Sequence, residues 1–172
     1  MCTVKKIMVL MLVLVVLTST MAIPANAASV NWESQFPQFQ LCSTSATPYN
    51  SNYVRALQRF LLAYKHTSSM IADNGGVDGS FGTGTESAVK TFQYYAFGAD
   101  ETQIDGKVGS GTWRKIAGML EDYESGTEIK LRHYNEYQNI TYNVISIDTS
   151  STVKKYRYYK TDGTLGNTFH WA

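Results

Sequence analysis

The sequence predicts an α+β fold: a small three-helix bundle over residues 49–122, followed by a small antiparallel β region over residues 123–172. Three observations predict it. Apolar residues recur at helical spacing in three blocks between Ser51 and Leu120. A turn sequence occurs twice between those blocks. Beyond Ser125 the period switches towards two, in β-branched and Tyr-rich runs.

The chain opens with Lys5 and Lys6, runs apolar from Ile7 to Leu17, and reaches Ala25-Asn26-Ala27. That charged, apolar, small-residue order is the signature of a secretory signal peptide, residues 1–27, with cleavage expected after Ala27. The apolar run is about half of the roughly 20 residues a spanning helix needs, so no membrane anchor is expected after cleavage. A lipid anchor needs Cys at the cleavage point, whereas Cys2 and Cys42 lie elsewhere. Losing Lys5 and Lys6 moves the net charge from +1 to −1, without the concentrated basic face that nucleic acid requires. Cleavage also removes Cys2 and leaves Cys42 without an intramolecular disulfide partner, read as a semi-buried apolar residue or a site of pairing with another molecule. Residues 28–48, rich in Ser, Thr, Ala and Gln with Pro37 and Pro48, read as an extended strap.

The first helix is expected from Ser51, capped by Ser51 or Asn50, with Val54, Leu57, Leu61 and Tyr64 on one face and Phe60 widening it. A loop over 66–76 closes at Asn74-Gly75-Gly76. Thr83 with Glu86 three residues on predicts a capping box opening a second helix, with Ala88, Val89, Phe92 and Ala96 on one face and Gly98 as its stop. A third helix is expected from Ser110, carrying Trp113, Ile116, Ala117 and Leu120 and fraying near Glu121. Strands are expected over 127–134, 140–147, 153–160 and 165–171, with a hairpin turn at Thr161-Asp162-Gly163-Thr164. The result is a sheet of three or four strands.

The repeat is the most specific feature. Val77-Asp78-Gly79-Ser80-Phe81-Gly82-Thr83-Gly84-Thr85 recurs 27 residues on as Ile104-Asp105-Gly106-Lys107-Val108-Gly109-Ser110-Gly111-Thr112. In each copy Asp-Gly makes a tight turn, with the carboxylate bonding nearby amides and Gly at positive φ. Flanking apolar residues, Val77 with Phe81 and Ile104 with Val108, pin the turn to the core. The second Gly swings the chain into a helix whose Thr or Ser hydroxyls act as caps.

Tyr53 to Leu120 resembles the peptidoglycan-binding domain family, a three-helix module attached to many bacterial cell-wall hydrolases. The resemblance is carried by Val54, Leu57-Gln58, Leu61, Asp78-Gly79-Ser80-Phe81-Gly82, Thr85, Ala88-Val89, Phe92-Gln93, Asp105-Gly106-Lys107-Val108-Gly109, Thr112-Trp113 and Leu120. A longer loop between Tyr64 and Val77 and a longer link from Tyr94 to Ile104 depart from the family pattern. The resemblance implies a peptidoglycan glycan strand or stem peptide as ligand, a location outside the cell or in the wall, and a possible partner hydrolase.

Such a ligand offers sugar faces for stacking, and amides, hydroxyls and carboxylates for hydrogen bonding. The residues expected to meet it are Gln58, Asp78, Gly79, Gln93, Tyr94, Asp105, Gly106 and Trp113, together with the loop amides; each loop abuts a helix N-terminus, which favours an anionic group. Each has a plainer role too. Asp78 and Asp105 build turns, Trp113 fills the core, and Gln58 and Gln93 on an apolar face must bond loop backbone or ligand. Tyr94 and Tyr95 cannot both face inward, and Tyr94 is expected outside.

No cofactor motif occurs. His66, His133 and His170 stand outside any metal-ligand spacing, and Cys42 has no His nearby in sequence. Binding without catalysis is therefore the first expectation. A wall hydrolase with its site in residues 123–172, or a protein-binding module on the same fold, are the alternatives. Residues 123–172 hold seven of the 12 Tyr, including Tyr156, Tyr158 and Tyr159, which either present aromatics to a carbohydrate or cover the helices.

Overall fold

The architecture is that of a computed structural model. The structure describes residues 51–150 and 155–170. The expected leader and strap, with Cys42, lie outside these residues.

Helix α1 (Ser51–Ala63) is buried nearly all round. Val54, Leu57, Phe60, Leu61 and Ala63 lose all contact with solvent, because other elements cover the helix on most sides. One side meets α2 (Ser68–Ala72) and α3 (Thr83–Ala96); the other lies on the sheet. A 3₁₀ turn (Glu101–Gln103) and α4 (Ser110–Ala117) complete the helical part.

Five antiparallel strands follow in simple meander order: β1 (Glu121–Ser125), β2 (Glu128–Asn135), β3 (Ile140–Asp148), β4 (Lys155–Tyr159) and β5 (Leu165–Phe169). Ile129, Leu131, Ile145, Ile147, Tyr156, Tyr158 and Phe169 are buried, and α1 packs on β2, β3 and β4. The β4 tyrosines thus cover the helices. The hairpin turn forms as expected: the Gly163 amide donates to the Lys160 carbonyl at 3.0 Å, the Lys160 amide to the Thr164 carbonyl at 2.9 Å, and Gly163 has φ +82°.

Arg59 fastens α1 to the sheet. It is 5% exposed; Nε donates to the Asn143 carbonyl at 3.0 Å and Nη1 to the Thr161 carbonyl at 2.9 Å, and its guanidinium lies over the Tyr142 ring at 4.9 Å. Burial pushes its pKa below the ordinary guanidinium value, opposed by Tyr142, Asp162 and Tyr159. Two carbonyls and an aromatic face take the place of the water this cation has lost.

The structure corrects four expectations. The loop over 66–76 contains α2, anchored by Thr67, whose hydroxyl donates to the Leu61 carbonyl at 2.6 Å. The capping box is not formed: Gly82, not Thr83, is the N-cap of α3, with no side-chain cap, and Glu86 pairs instead with Lys90 one turn on at 2.8 Å. The last helix stops at Ala117 instead of reaching Leu120, and the chain enters β1 at Glu121. The sheet therefore has five strands, because Glu-Asp-Tyr-Glu-Ser, exposed throughout, lacks an apolar alternation and pairs only as a charged edge.

Candidate functional site

The repeated turns are built on two buried carboxamides. Gln58, on α1, is 2% exposed. Its Nε2 donates to Asp78 Oδ1 at 2.7 Å, to the Ser80 carbonyl at 3.0 Å and to Thr85 Oγ1 at 3.1 Å, while its Oε1 accepts the Gly79 amide at 2.8 Å. Gln93, on α3, is 1% exposed and repeats the set. Nε2 donates to Asp105 Oδ1 at 2.9 Å, the Lys107 carbonyl at 2.9 Å and Thr112 Oγ1 at 3.3 Å, and Oε1 accepts the Gly106 amide at 2.9 Å. Asp78 Oδ1 also accepts the Ser80 amide at 2.8 Å, and Asp105 Oδ1 the Lys107 amide at 2.9 Å.

Local sequence explains why the turns hold. Gly79 and Gly106 sit at φ +83° and +75°, a region that side chains bearing Cβ avoid. A Cβ on Gly79 would lie 2.6 Å from the Arg55 guanidinium, and one on Gly106 would lie 2.8 Å from Lys90 Cε, so both turns also press on helix side chains. Phe81 and Val108 are buried, with Val77 and Ile104 half-buried behind them. Thr85 and Thr112 do not cap their helices. Each hydroxyl reaches back to the turn, donating to the Ser80 carbonyl at 3.3 Å and the Lys107 carbonyl at 3.4 Å.

This arrangement alters the expected chemistry of the loops. The amides of Gly79, Ser80, Gly106 and Lys107 are all committed inside the turns, so these four are not offered to a ligand. The turns also stand apart. Thr85 and Gln93, both on α3, serve the first and second turn respectively, and eight residues of helix span about 12 Å.

Of the expected binding residues, Gln58, Gly79, Gln93, Gly106 and Trp113 lie buried; Asp78 and Asp105 are exposed at the turns. Tyr94 is 50% exposed and Tyr95 49%, so both tyrosines face outward, where only Tyr94 had been expected to do so. A polar cavity of about 200 Å³ lies beside the second turn, lined by Gln93, Thr102, Gln103, Asp105, Ser110 and Gly111 among others. Another, of about 360 Å³, separates the first turn from the β4–β5 hairpin between Arg55, Val77, Lys160 and Asp162; there the Val77 amide donates to Thr161 Oγ1 at 3.0 Å.

Sequence reasoning missed Arg59, whose acceptors lie far along the chain, Arg55, which bonds Ser51 one turn back and lies over the distant Tyr158 ring, and the meeting of His66 with Tyr137. The Gln–turn linkage had a signal: Leu57-Gln58 and Phe92-Gln93 each place Gln after a core residue in the helix preceding a turn. Among the described residues no three His, Cys, Asp or Glu side chains converge as a metal site, and no helix is long and apolar enough to cross a membrane.

Residues 50–116 match the family model described as "Putative peptidoglycan binding domain". No curated protein and no solved structure matches the chain.

Proposed function

From the match of residues 50–116 to this peptidoglycan-binding domain family, we propose that the protein is exported by its leader and binds bacterial cell-wall peptidoglycan without cleaving it. One observation carries the reading: the matched segment contains both Gln-braced turns complete. Gln58, Gly79, Gln93, Gly106 and Trp113 act beneath the surface, holding Asp78, Asp105 and Tyr94 where a glycan strand or stem peptide meets them. Rigid turns of this kind lower the ordering cost of binding. Asp78 and Asp105 are each tied by hydrogen bonds within the turn, a role that suits turn building better than proton transfer. The sheet, β1 to β5, braces the module in this reading.

Sedimentation with purified insoluble peptidoglycan tests it, with reducing ends and free amines assayed in the supernatant. Co-sedimentation without release is expected. A protein that stays in the supernatant does not bind the wall, and release of reducing ends or amines makes it a hydrolase.

A further inference from the structure

Three segments distant in sequence bring their aromatic rings together at one surface. His66, from the α1–α2 corner, stacks on Tyr95 of α3 with centroids 3.7 Å apart and planes 12° from parallel. Tyr94 stands edge-on to Tyr95 at 5.2 Å and 88°. Tyr137, from the β2–β3 turn, stands edge-on to His66 at 6.1 Å and 87°. Tyr137 is 72% exposed, the most exposed large apolar side chain among the described residues.

The surroundings hold these rings in place. Asn135, fully buried, accepts the amides of Tyr137 and Gln138 at 3.0 and 3.1 Å and so fixes the turn that projects Tyr137. Lys65 pairs with Glu136 at 2.7 Å and lies over the Tyr137 ring at 5.9 Å. Gln138 accepts the Tyr142 hydroxyl at 2.6 Å. Beneath, Tyr64 packs on His66, Phe60 and Phe92, joining the cluster to the core. Rings ordered in advance lose little rotamer freedom on contact, and half-exposed tyrosines contribute little to burial.

We propose that Tyr94, Tyr95, His66 and Tyr137 form a stacking platform for a neutral, N-acetylated pyranose ring, an inference that rests on the peptidoglycan reading above. The chemistry selects this occupant. A pyranose has an apolar C–H face and a rim of hydroxyl and acetamido groups; the platform has aromatic faces rimmed by phenol hydroxyls, the Gln138 carboxamide and the Lys65–Glu136 pair. Every ring in it carries a polar edge that can bond the hydroxyl and acetamido rim while its face takes the C–H side of the sugar. Lys65 is already neutralised by Glu136, which leaves no excess of positive charge for a phosphate backbone.

The test titrates the full chain with the tetramer of N-acetylglucosamine, following the aromatic and His66 resonances, and runs sacculus sedimentation in parallel. Variants are Tyr137→Ala, Tyr95→Ala and, as a control on β1, Tyr123→Ala. The tetramer is expected to shift the His66, Tyr94, Tyr95 and Tyr137 signals. Tyr137→Ala and Tyr95→Ala should weaken it at least tenfold with the melting temperature of Tyr137→Ala unchanged, and Tyr123→Ala should match the parent. Unshifted rings at millimolar tetramer, or parental affinity in both platform variants, overturns the platform, and the wall-binding reading survives if the parent still sediments. Shifts at these rings in a protein that does not sediment support the platform and remove the wall-binding reading.

Discussion

Gln58 and Gln93 hold equivalent places around the two turns, although 20 residues separate Gln58 from Asp78 and 12 separate Gln93 from Asp105. The longer interval accommodates α2, so an insertion in the chain leaves the bonding unit intact. Each carboxamide bonds four groups of its turn and third-position Thr, and neither has accessible surface to spare for water.

Gln58→Ala should therefore strand the Gly79 amide in the interior and leave the Ser80 carbonyl with only the long Thr85 hydroxyl bond, lowering stability by about 2–4 kcal/mol; Gln93→Ala should do the same at the second turn. The two sites share no partner and lie about 12 Å apart along α3. The double variant should lose the sum of the single losses to within about 0.5 kcal/mol. Urea unfolding of the four proteins gives the answer, and a strongly sub-additive double variant would show that the turns act as one unit.

Two glycines should respond to alanine with opposite sign. A Cβ on Gly166, in β5, would lie 2.2 Å from Cζ of Tyr158, whose ring is 5% exposed beside an irregularity in the β4–β5 register. Gly166→Ala should cost about 1–3 kcal/mol by overpacking. Gly111, in the first turn of α4, has nothing within 4 Å of the added atom. Gly111→Ala should leave stability unchanged or raise it by up to about 1 kcal/mol through helix propensity. Chemical denaturation of both variants checks the pair; equal losses would contradict the packing described for β5.

Helices α1, α3 and α4 and four of the strands were legible in the sequence because their apolar period is regular, and the turns because the repeat shows them twice; α2, five residues long, was not. What escaped depended on partners remote in the chain. A helix apolar on most sides at Tyr53, Val54, Ala56, Leu57, Phe60, Leu61 and Leu62 needs two cover layers, and the residue that marks the second layer is Arg59, whose acceptors are the carbonyls of Asn143 and Thr161. β1 was hidden by its charges. Thr83 and Glu86 fit a capping-box pattern that lost to two alternatives: Gly82 as the cap and Lys90 as the partner of Glu86. At the candidate site, the types Asp, Gly and Gln and the carboxylate-to-amide bond within each turn were legible; that Gln58 and Gln93 take up the Gly79 and Gly106 amides follows only from their geometry.

The Lys65–Glu136 pair joins the α1–α2 corner to the β2–β3 turn, and its behaviour with pH has a definite sign. The Lys65 hydrogen bond, reinforced by its charge, holds the Glu136 carboxyl below its ordinary value, and Glu136 holds Lys65 above its own. A lowered carboxyl value in the folded state means the contribution is present at neutral pH and disappears as pH falls through that lowered value. A raised ammonium value means it disappears again as pH rises through the raised one. Lys65→Met should move the Glu136 side-chain titration upward, followed by carbon-detected NMR. Both groups are solvent-exposed, so salt should shrink the difference. An unchanged Glu136 titration in Lys65→Met would remove the pair from solution.

Trp113 and Tyr94 separate support from contact. Trp113 is 1% exposed, on α4 directly after the Thr112 that closes the second turn, and Trp113→Ala should remove roughly 3–5 kcal/mol. That loss is comparable to the whole stability of a small domain, so wall binding should vanish with the fold. Tyr94 is 50% exposed, and its edge-on contact with Tyr95 adds only about 0.5–1.5 kcal/mol beyond area burial. Tyr94→Ala should keep the far-ultraviolet spectrum and melting temperature of the parent while reducing retention on intact sacculi severalfold. Thermal melts and sedimentation on the same preparations distinguish the two roles, because a residue that only stabilises the fold lowers both readings together. Parental retention by Tyr94→Ala would remove Tyr94 from the binding surface and leave the exposed carboxylates of Asp78 and Asp105 as the residues to test next.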